Sequence, residues 1–196
     1  MPTHQDHNHT SPRKTASQGL RLTLLILAVY MVAEVFGGLL SGSLALLADA
    51  GHMLADVGAL ALSLFAIRMA ARPATAHRTY GHYRAEILAA LVNGSALVAI
   101  AIFVFIEAVR RLATPSEVMG GTMLAVAAGG LAVNLVGMWI LHGGRNDSLN
   151  LRGAWLHLVS DALGSLGAIT AGLLVWAYGW NWADPAASII IGLLVV

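Results

Sequence analysis

LALLADAGHMLADVGALALSLFAIRMAA (44–71) is the stretch on which the fold turns. It is apolar almost throughout, and it exceeds the roughly 20 residues that cross the hydrocarbon core of a bilayer as a helix. Yet its first half carries Asp49, His52 and Asp56. An ionisable side chain at mid-bilayer costs at least ~2.5 kcal/mol on insertion scales, so such residues within a span mark function by default.

Further apolar stretches run over 20–40, 87–108, 119–141, 154–178 and 184–196. Helices are the expected element, because lipid offers no partner to an unpaired backbone group. The short alternating segments of a β-barrel are absent. The first stretch, from Leu22 to about Leu40, outruns the roughly 7–15 apolar residues of a signal peptide and is interrupted by Glu34, so it reads as a retained span. The last opens at Asp184-Pro185, a good N-cap followed by a good first helical residue. Only 12 residues follow Asp184, about 18 Å of helix at about 1.5 Å per residue. That is too short to cross, so the chain is expected to end inside a sixth span, with no C-terminal cytoplasmic domain. Residues 1–19 are polar and rich in breakers, which predicts a disordered, His-containing tail. The expected organisation is that tail followed by an all-α, six-helix transmembrane bundle over 20–196.

Composition agrees. Of the 196 residues, 58% are apolar and 11% charged, against about 45–50% and ~25% in an ordinary soluble domain. So few charges cannot cover a globule of this size. A soluble enzyme, a disordered chain and a nucleic-acid binder with a basic face are excluded, and the absence of cysteine excludes disulfide scaffolds and thiolate metal sites. The net charge of +1 is uninformative, but the placement of charge is not. Nine of the 11 Lys and Arg fall on one side: Arg13, Lys14 and Arg21 in the tail region, Arg68, Arg72, Arg78 and Arg84 around the second loop, and Arg145 and Arg152 in the fourth. Arg110 and Arg111 alone fall on the other. The N-terminus is therefore expected in the cytoplasm.

The fifth stretch repeats the anomaly of the second. GAWLHLVSDALGSL (153–166) carries His157 and Asp161, the same His-x-x-x-Asp as His52 and Asp56. Positions i and i+4 share a helix face, so each pair aims one imidazole and one carboxylate the same way. Small residues continue both faces: Ala59 and Ser63 after His52, Gly164 and Ala168 after His157. Such stripes let helices approach closely in lipid. The two spans run antiparallel in the expected topology. His52 lies about 12 Å below the outer end of its span, and Asp161 about 10 Å above the inner end of its own, at the helical rise per residue. Packed face to face, the four groups converge near the membrane centre.

Two neutral imidazoles and two carboxylates suit Zn²⁺, which takes tetrahedral N/O ligands at about 2.0–2.2 Å. The lack of sulfur argues against Cu(I), and the imidazoles against Mg²⁺ and Ca²⁺; Co²⁺, Cd²⁺, Ni²⁺ and Fe²⁺ stay open on ligand type. The competing structural reading is two His–Asp hydrogen bonds that merely fasten the spans. Asp49 shares the flank of His52 and Asp56 but lies about one turn from the outer boundary, where a solvated vestibule residue is as good a reading as a ligand. Glu34 is read as a stepping-stone for protons or metal, or as a partner for a neighbouring helix. Asn93 and Asn134 read as interhelical hydrogen-bond partners. In the tail, His4, His7 and His9 beside Asp6 form a tract able to collect metal loosely. HRTYGHYRAEIL (77–88) reads as a helix start with interfacial anchors.

The chain resembles the cation diffusion facilitator family of divalent-metal transporters, in its zinc-type branch that includes bacterial cobalt-zinc-cadmium exporters. The resemblance rests on LLADAGHMLADVGALALSL (46–64), RTYGHYRAEILAALVNG (78–94), RGAWLHLVSDALGSLGAI (152–169) and WADPAASIIIGLLV (182–195). It implies a transport site at His52, Asp56, His157 and Asp161. It implies further a homodimer in the bacterial inner membrane that exports zinc, or cadmium, cobalt or nickel, in exchange for protons by alternating access. Relatives often carry a His-rich loop between the fourth and fifth spans; here HGGRNDSLNLRG (142–153) has only His142. Metal and protons compete for the same side chains, and imidazole titrates near cytoplasmic pH. A membrane-embedded zinc hydrolase would need an open coordination position and a general base, with Asp49 or Glu34 serving. A proton-coupled carrier of organic substrates would need a larger polar cavity, and a metal sensor an output domain.

Overall fold

The computed structural model describes residues 12–70, 83–143 and 149–195. They form six helices: α1 (Pro12–Ser41), α2 (Leu44–Ala70), α3 (Tyr83–Ala113), α4 (Gly120–His142), α5 (Leu149–Tyr178) and α6 (Ala183–Val195). No strand occurs among the described residues. Gln18–Ser41, Ala90–Ala113, Gly120–His142 and Leu151–Tyr178 are long and apolar enough to cross a membrane. The 27 residues of α2 extend about 40 Å at the helical rise. Large apolar side chains such as Phe36, Phe103 and Trp139 stand exposed around the bundle, as they do where the surrounding solvent is hydrocarbon.

α1 begins at Pro12 rather than near residue 20. Residues 12–19, expected as part of a disordered tail, extend the first helix instead, with proline at its first position, where its missing N–H is no loss. Residues 1–11, including His4, His7 and His9, lie outside the described residues, as do 71–82 between α2 and α3 and 144–148 between α4 and α5.

The helices form a closed circuit. α4 packs against α1 and α5, α2 against α1 and α3, and α6 against α2, α3 and α5, while α2 and α5 meet directly only over a short contact. The α4–α5 seam is tight because α4 turns small residues inward, among them Gly120, Ala127, Gly130 and Gly137. A Cβ on Gly120 would stand 2.5 Å from the Trp176 backbone nitrogen. Across the same seam Asn134 Nδ2 donates to Ser165 Oγ at 3.5 Å, the interhelical role expected of it.

Two turns define the end of the bundle where α2 starts. α1 stops at Gly42, whose φ of 72° is left-handed, and Ser43 N–H reaches back to the Gly38 carbonyl at 3.1 Å. Gly179, at φ 67°, likewise ends α5. On either side of it Tyr178, Trp180 and Trp182 form an aromatic ladder with ring centroids 5.4 and 5.7 Å apart, as at a membrane interface.

Asp184 departs from expectation. Its carboxylate sits in the first turn of α6 but binds the start of α2 rather than capping its own helix. Oδ1 accepts from Ser43 Oγ at 2.6 Å and from Ala45 N–H at 3.1 Å, and Oδ2 accepts from Leu44 N–H at 2.8 Å. Ser43 Oγ in turn accepts from Leu46 N–H at 3.2 Å. The donors that α2 leaves open in its first turn are thus met by a carboxylate from another helix, which the positive end of the α2 dipole also favours.

Candidate metal centre

α2 brings His52 and Asp56 to one face, and α5 brings His157 and Asp161 to the face opposite. His52 Nε2 lies 3.3 Å from Asp56 Oδ2 and 3.6 Å from Asp161 Oδ1; His157 Nε2 lies 3.0 Å from Asp56 Oδ2 and 3.5 Å from Asp161 Oδ2. The cross-helix contacts join 52 to 161 and 56 to 157, the pairing of antiparallel helices. The result is a closed ring of alternating imidazole nitrogen and carboxylate oxygen. The imidazoles meet edge to face at 61°, with centroids 5.3 Å apart.

The edges of this ring have a chemical meaning. Ligand atoms ~2.0–2.2 Å from a tetrahedral Zn²⁺ stand about 3.3–3.6 Å from one another. Three of the four contacts, at 3.3, 3.5 and 3.6 Å, fall at that spacing, and the fourth, at 3.0 Å, is somewhat shorter. One ligand atom each from His52, His157 and Asp161 also lies within 4.8 Å of the other two.

Exposure is graded across the ring. Asp161 and His52 are 7% and 12% exposed, whereas His157 and Asp56 are 40% and 43% exposed. The open edge faces the end of the bundle where α2 finishes and α5 begins. A cavity of about 130 Å³ adjoins the ring, lined by Asp49, His52, His157, Ser160 and Asp161 together with Ile191 and Leu194 from α6. It has room for several waters.

Asp49 does not lie in a solvated vestibule. It is 5% exposed, because α1 packs across this flank of α2 and brings in Glu34, itself 1% exposed. The two carboxyl groups are hydrogen-bonded to each other, and Glu34 Oε2 is buried with no hydrogen-bond partner. The pair backs the cavity without joining the ring. The expected stripe on α5 faces inward: Ala168 is buried, and a Cβ on Gly164 would stand 3.8 Å from Asp49 Oδ1. The side chains of Ala59 and Ser63 lie outside the described residues. Asn93 faces α2 from α3, its Oδ1 3.2 Å from where a Cβ on Gly58 would be. Ile191, Leu194 and Asp184 escaped the sequence reading. The first two are ordinary apolar residues of a span, and Asp184 looked satisfied as a local cap.

Comparison with known proteins agrees with this architecture. The model of the cation efflux transmembrane domain matches residues 20–196. The chain is 47% identical over 194 residues to the zinc transporter ZitB of Escherichia coli (strain K12), covering 97% of the chain and 62% of that protein. It is 44% identical over 193 residues to a cadmium, cobalt and zinc/H(+)-K(+) antiporter of Bacillus subtilis (strain 168), covering 97% and 61%. It is 43% identical over 190 residues to the metal cation efflux system protein CzcD of Cupriavidus metallidurans, covering 97% and 60%. The chain thus spans 60–62% of the length of these relatives. With six helices, a polar ring in their midst and this match over nearly its whole length, the chain belongs to the cation efflux transmembrane domain family and is a multi-pass integral membrane protein of the plasma membrane.

Proposed function

We propose that the protein exports divalent metal cations, zinc foremost, in exchange for protons, and that His52, Asp56, His157 and Asp161 are the ligands of the transported ion. The observation that carries this reading is the alternating N/O ring with edges of 3.0–3.6 Å between two helices. The names of the relatives, which cite zinc, cadmium and cobalt, support the same substrate class. Four converging ligands leave no open position for a hydrolytic water, so a transporter fits better than an enzyme.

The residues supply the coupling. A dication is held by neutral imidazoles and ionised carboxylates, so each proton that arrives displaces metal and each metal ion that arrives releases protons. Two carboxylates offset the charge of the cation, which removes most of the penalty of burying either alone. The exposed edge at Asp56 and His157 faces the side on which Lys and Arg concentrate. With the N-terminus in the cytoplasm, this conformation loads from the cytoplasm. Release then requires the opposite side of the ring to open while the first closes. A homodimer is the proposed assembly.

The test is transport in proteoliposomes. Zinc should accumulate against its gradient when a pH gradient is imposed, and collapsing that gradient should slow it. Accumulation indifferent to pH on either side would make the protein a channel or uniporter.

A further inference from the structure

The two helices that bear the ring scarcely touch, whereas α6, which contributes none of the four residues, packs against both. α6 is therefore one of the two routes, beside α1 with α4, through which α2 is held against α5. That helix reaches the site at two levels. Ile191 and Leu194 lie against the cavity, and at the start of α6 the buried Asp184 carboxylate, 0% exposed, takes Ser43 Oγ and the Leu44 and Ala45 N–H groups. α3 joins the same joint. Arg111 Nη1 donates to the Gly42 carbonyl at 2.6 Å and stands 3.9 Å from Asp184 Oδ2, while its Nε donates to Glu107 at 3.0 Å.

We propose that Asp184 is a positioning residue for the metal centre: by capping α2 from the start of α6, it fixes the depth and rotation at which α2 presents His52 and Asp56 to α5. The proposal rests on the reading of the four-residue ring as a metal site. Its physical basis is the stiffness of a helix. Leu44 and His52 are joined by about two turns of α2, so displacement at the first turn is carried to the imidazole. A slip of a single residue moves a side chain about 1.5 Å along the axis and turns it about 100°, enough to break contacts of 3.0–3.6 Å. Because Asp184 is 0% exposed, loss of its acceptor oxygen leaves buried donors of α2 unpaired. The joint therefore holds one register or none.

Cobalt tests this, because its visible spectrum distinguishes tetrahedral from higher coordination and so reports ligand geometry rather than folding. Co²⁺ is titrated into the purified chain in detergent and into four variants. Asp184→Asn keeps the volume but replaces one acceptor oxygen with a donor amide. It should bind Co²⁺ about tenfold or more weakly, as losses of outer partners do, and show a weakened tetrahedral band at saturation. Ser43→Ala, which removes one donor to the same carboxylate, should shift both readouts the same way by less; it carries the test alone if Asp184→Asn does not fold. Tyr30→Phe loses the interhelical hydrogen bond to the Val126 carbonyl, away from this joint, and should keep both readouts. His157→Ala should lose the tetrahedral band. Parental affinity and spectrum in Asp184→Asn or, where that variant fails to fold, in Ser43→Ala would overturn the proposal, as would an equal change in Tyr30→Phe. If His157→Ala kept the parental band, the metal reading itself would fall, and the proposal with it.

Discussion

His157 Nε2 stands 3.0 Å from Asp56 Oδ2, across the gap between α5 and α2. Each residue belongs to a separate His-x-x-x-Asp pair, and this contact closes the two pairs into one ring. It is also the exposed edge of that ring, so the shortest cross-helix contact is the one an incoming cation meets first.

Removal of a ligand should be severe. Asp161 is the most buried of the four and contacts both imidazoles. Asp161→Ala is expected to weaken zinc binding more than ~100-fold, beyond what loss of an outer partner costs, and to abolish zinc tolerance in cells while the protein still inserts. Calorimetric titration checks the first point and growth on zinc the second; normal export would take Asp161 out of the coordination set.

Acid should release the metal. An imidazole of ordinary basicity, pKa ~6.5, is neutral and able to ligate above that value and protonated below it. Protonation of His52 and His157 occupies the nitrogens that would bind zinc, so zinc affinity is lost as falling pH protonates them, by up to ~100-fold per pH unit where two protons displace one ion. Zinc titrations at pH 7.5 and 5.5 measure this, and equal affinities would mean that the imidazoles do not bind the ion.

Access should be one-sided. Ser160 lines the cavity, and the chain has no native cysteine, so Ser160→Cys gives a single reporter. A membrane-impermeant thiol reagent should label it from the cytoplasmic side of oriented vesicles, with zinc protecting. Labelling only from the opposite side would reverse the proposed loading direction.

Packing at α4–α5 should tolerate nothing larger than hydrogen at position 120. The Cβ of Gly120→Ala would press on the Trp176 backbone, which cannot rotate away. A loss of about 1–3 kcal/mol is expected from overpacking, read as a lowered Tm in detergent. Gly94 has nothing within 4 Å of its would-be Cβ, so Gly94→Ala should be neutral or stabilising by up to ~1 kcal/mol. Equal Tm values for the two variants would contradict the tight seam.

Much of this was legible in the chain itself. Long apolar runs in a sequence with 11% charged residues require membrane helices, because lipid admits little else. The spacing of His52 to Asp56 and of His157 to Asp161 puts each pair on one face, because helical periodicity is local. Where the sequence reading failed, the cause was a partner far away in the chain. Asp49 looked solvated because its depth along α2 was legible but the arrival of Glu34 from α1 was not. Asp184 looked like the cap of its own helix because Asp-Pro is a local signal, whereas the α2 donors it binds lie some 140 residues earlier.

The sequence by itself determined the element type, the membrane-spanning class and the pairing of each histidine with an aspartate on one helix face, since each follows from hydrophobic length and helical period within a single segment. Only the tertiary structure decided that the four meet as one ring, which edge stands open, and that Asp184 at the start of α6 binds the first turn of α2. Those depend on which helix faces packed together, and in a bundle whose apolar surface points every way, hydrophobicity alone does not choose among them.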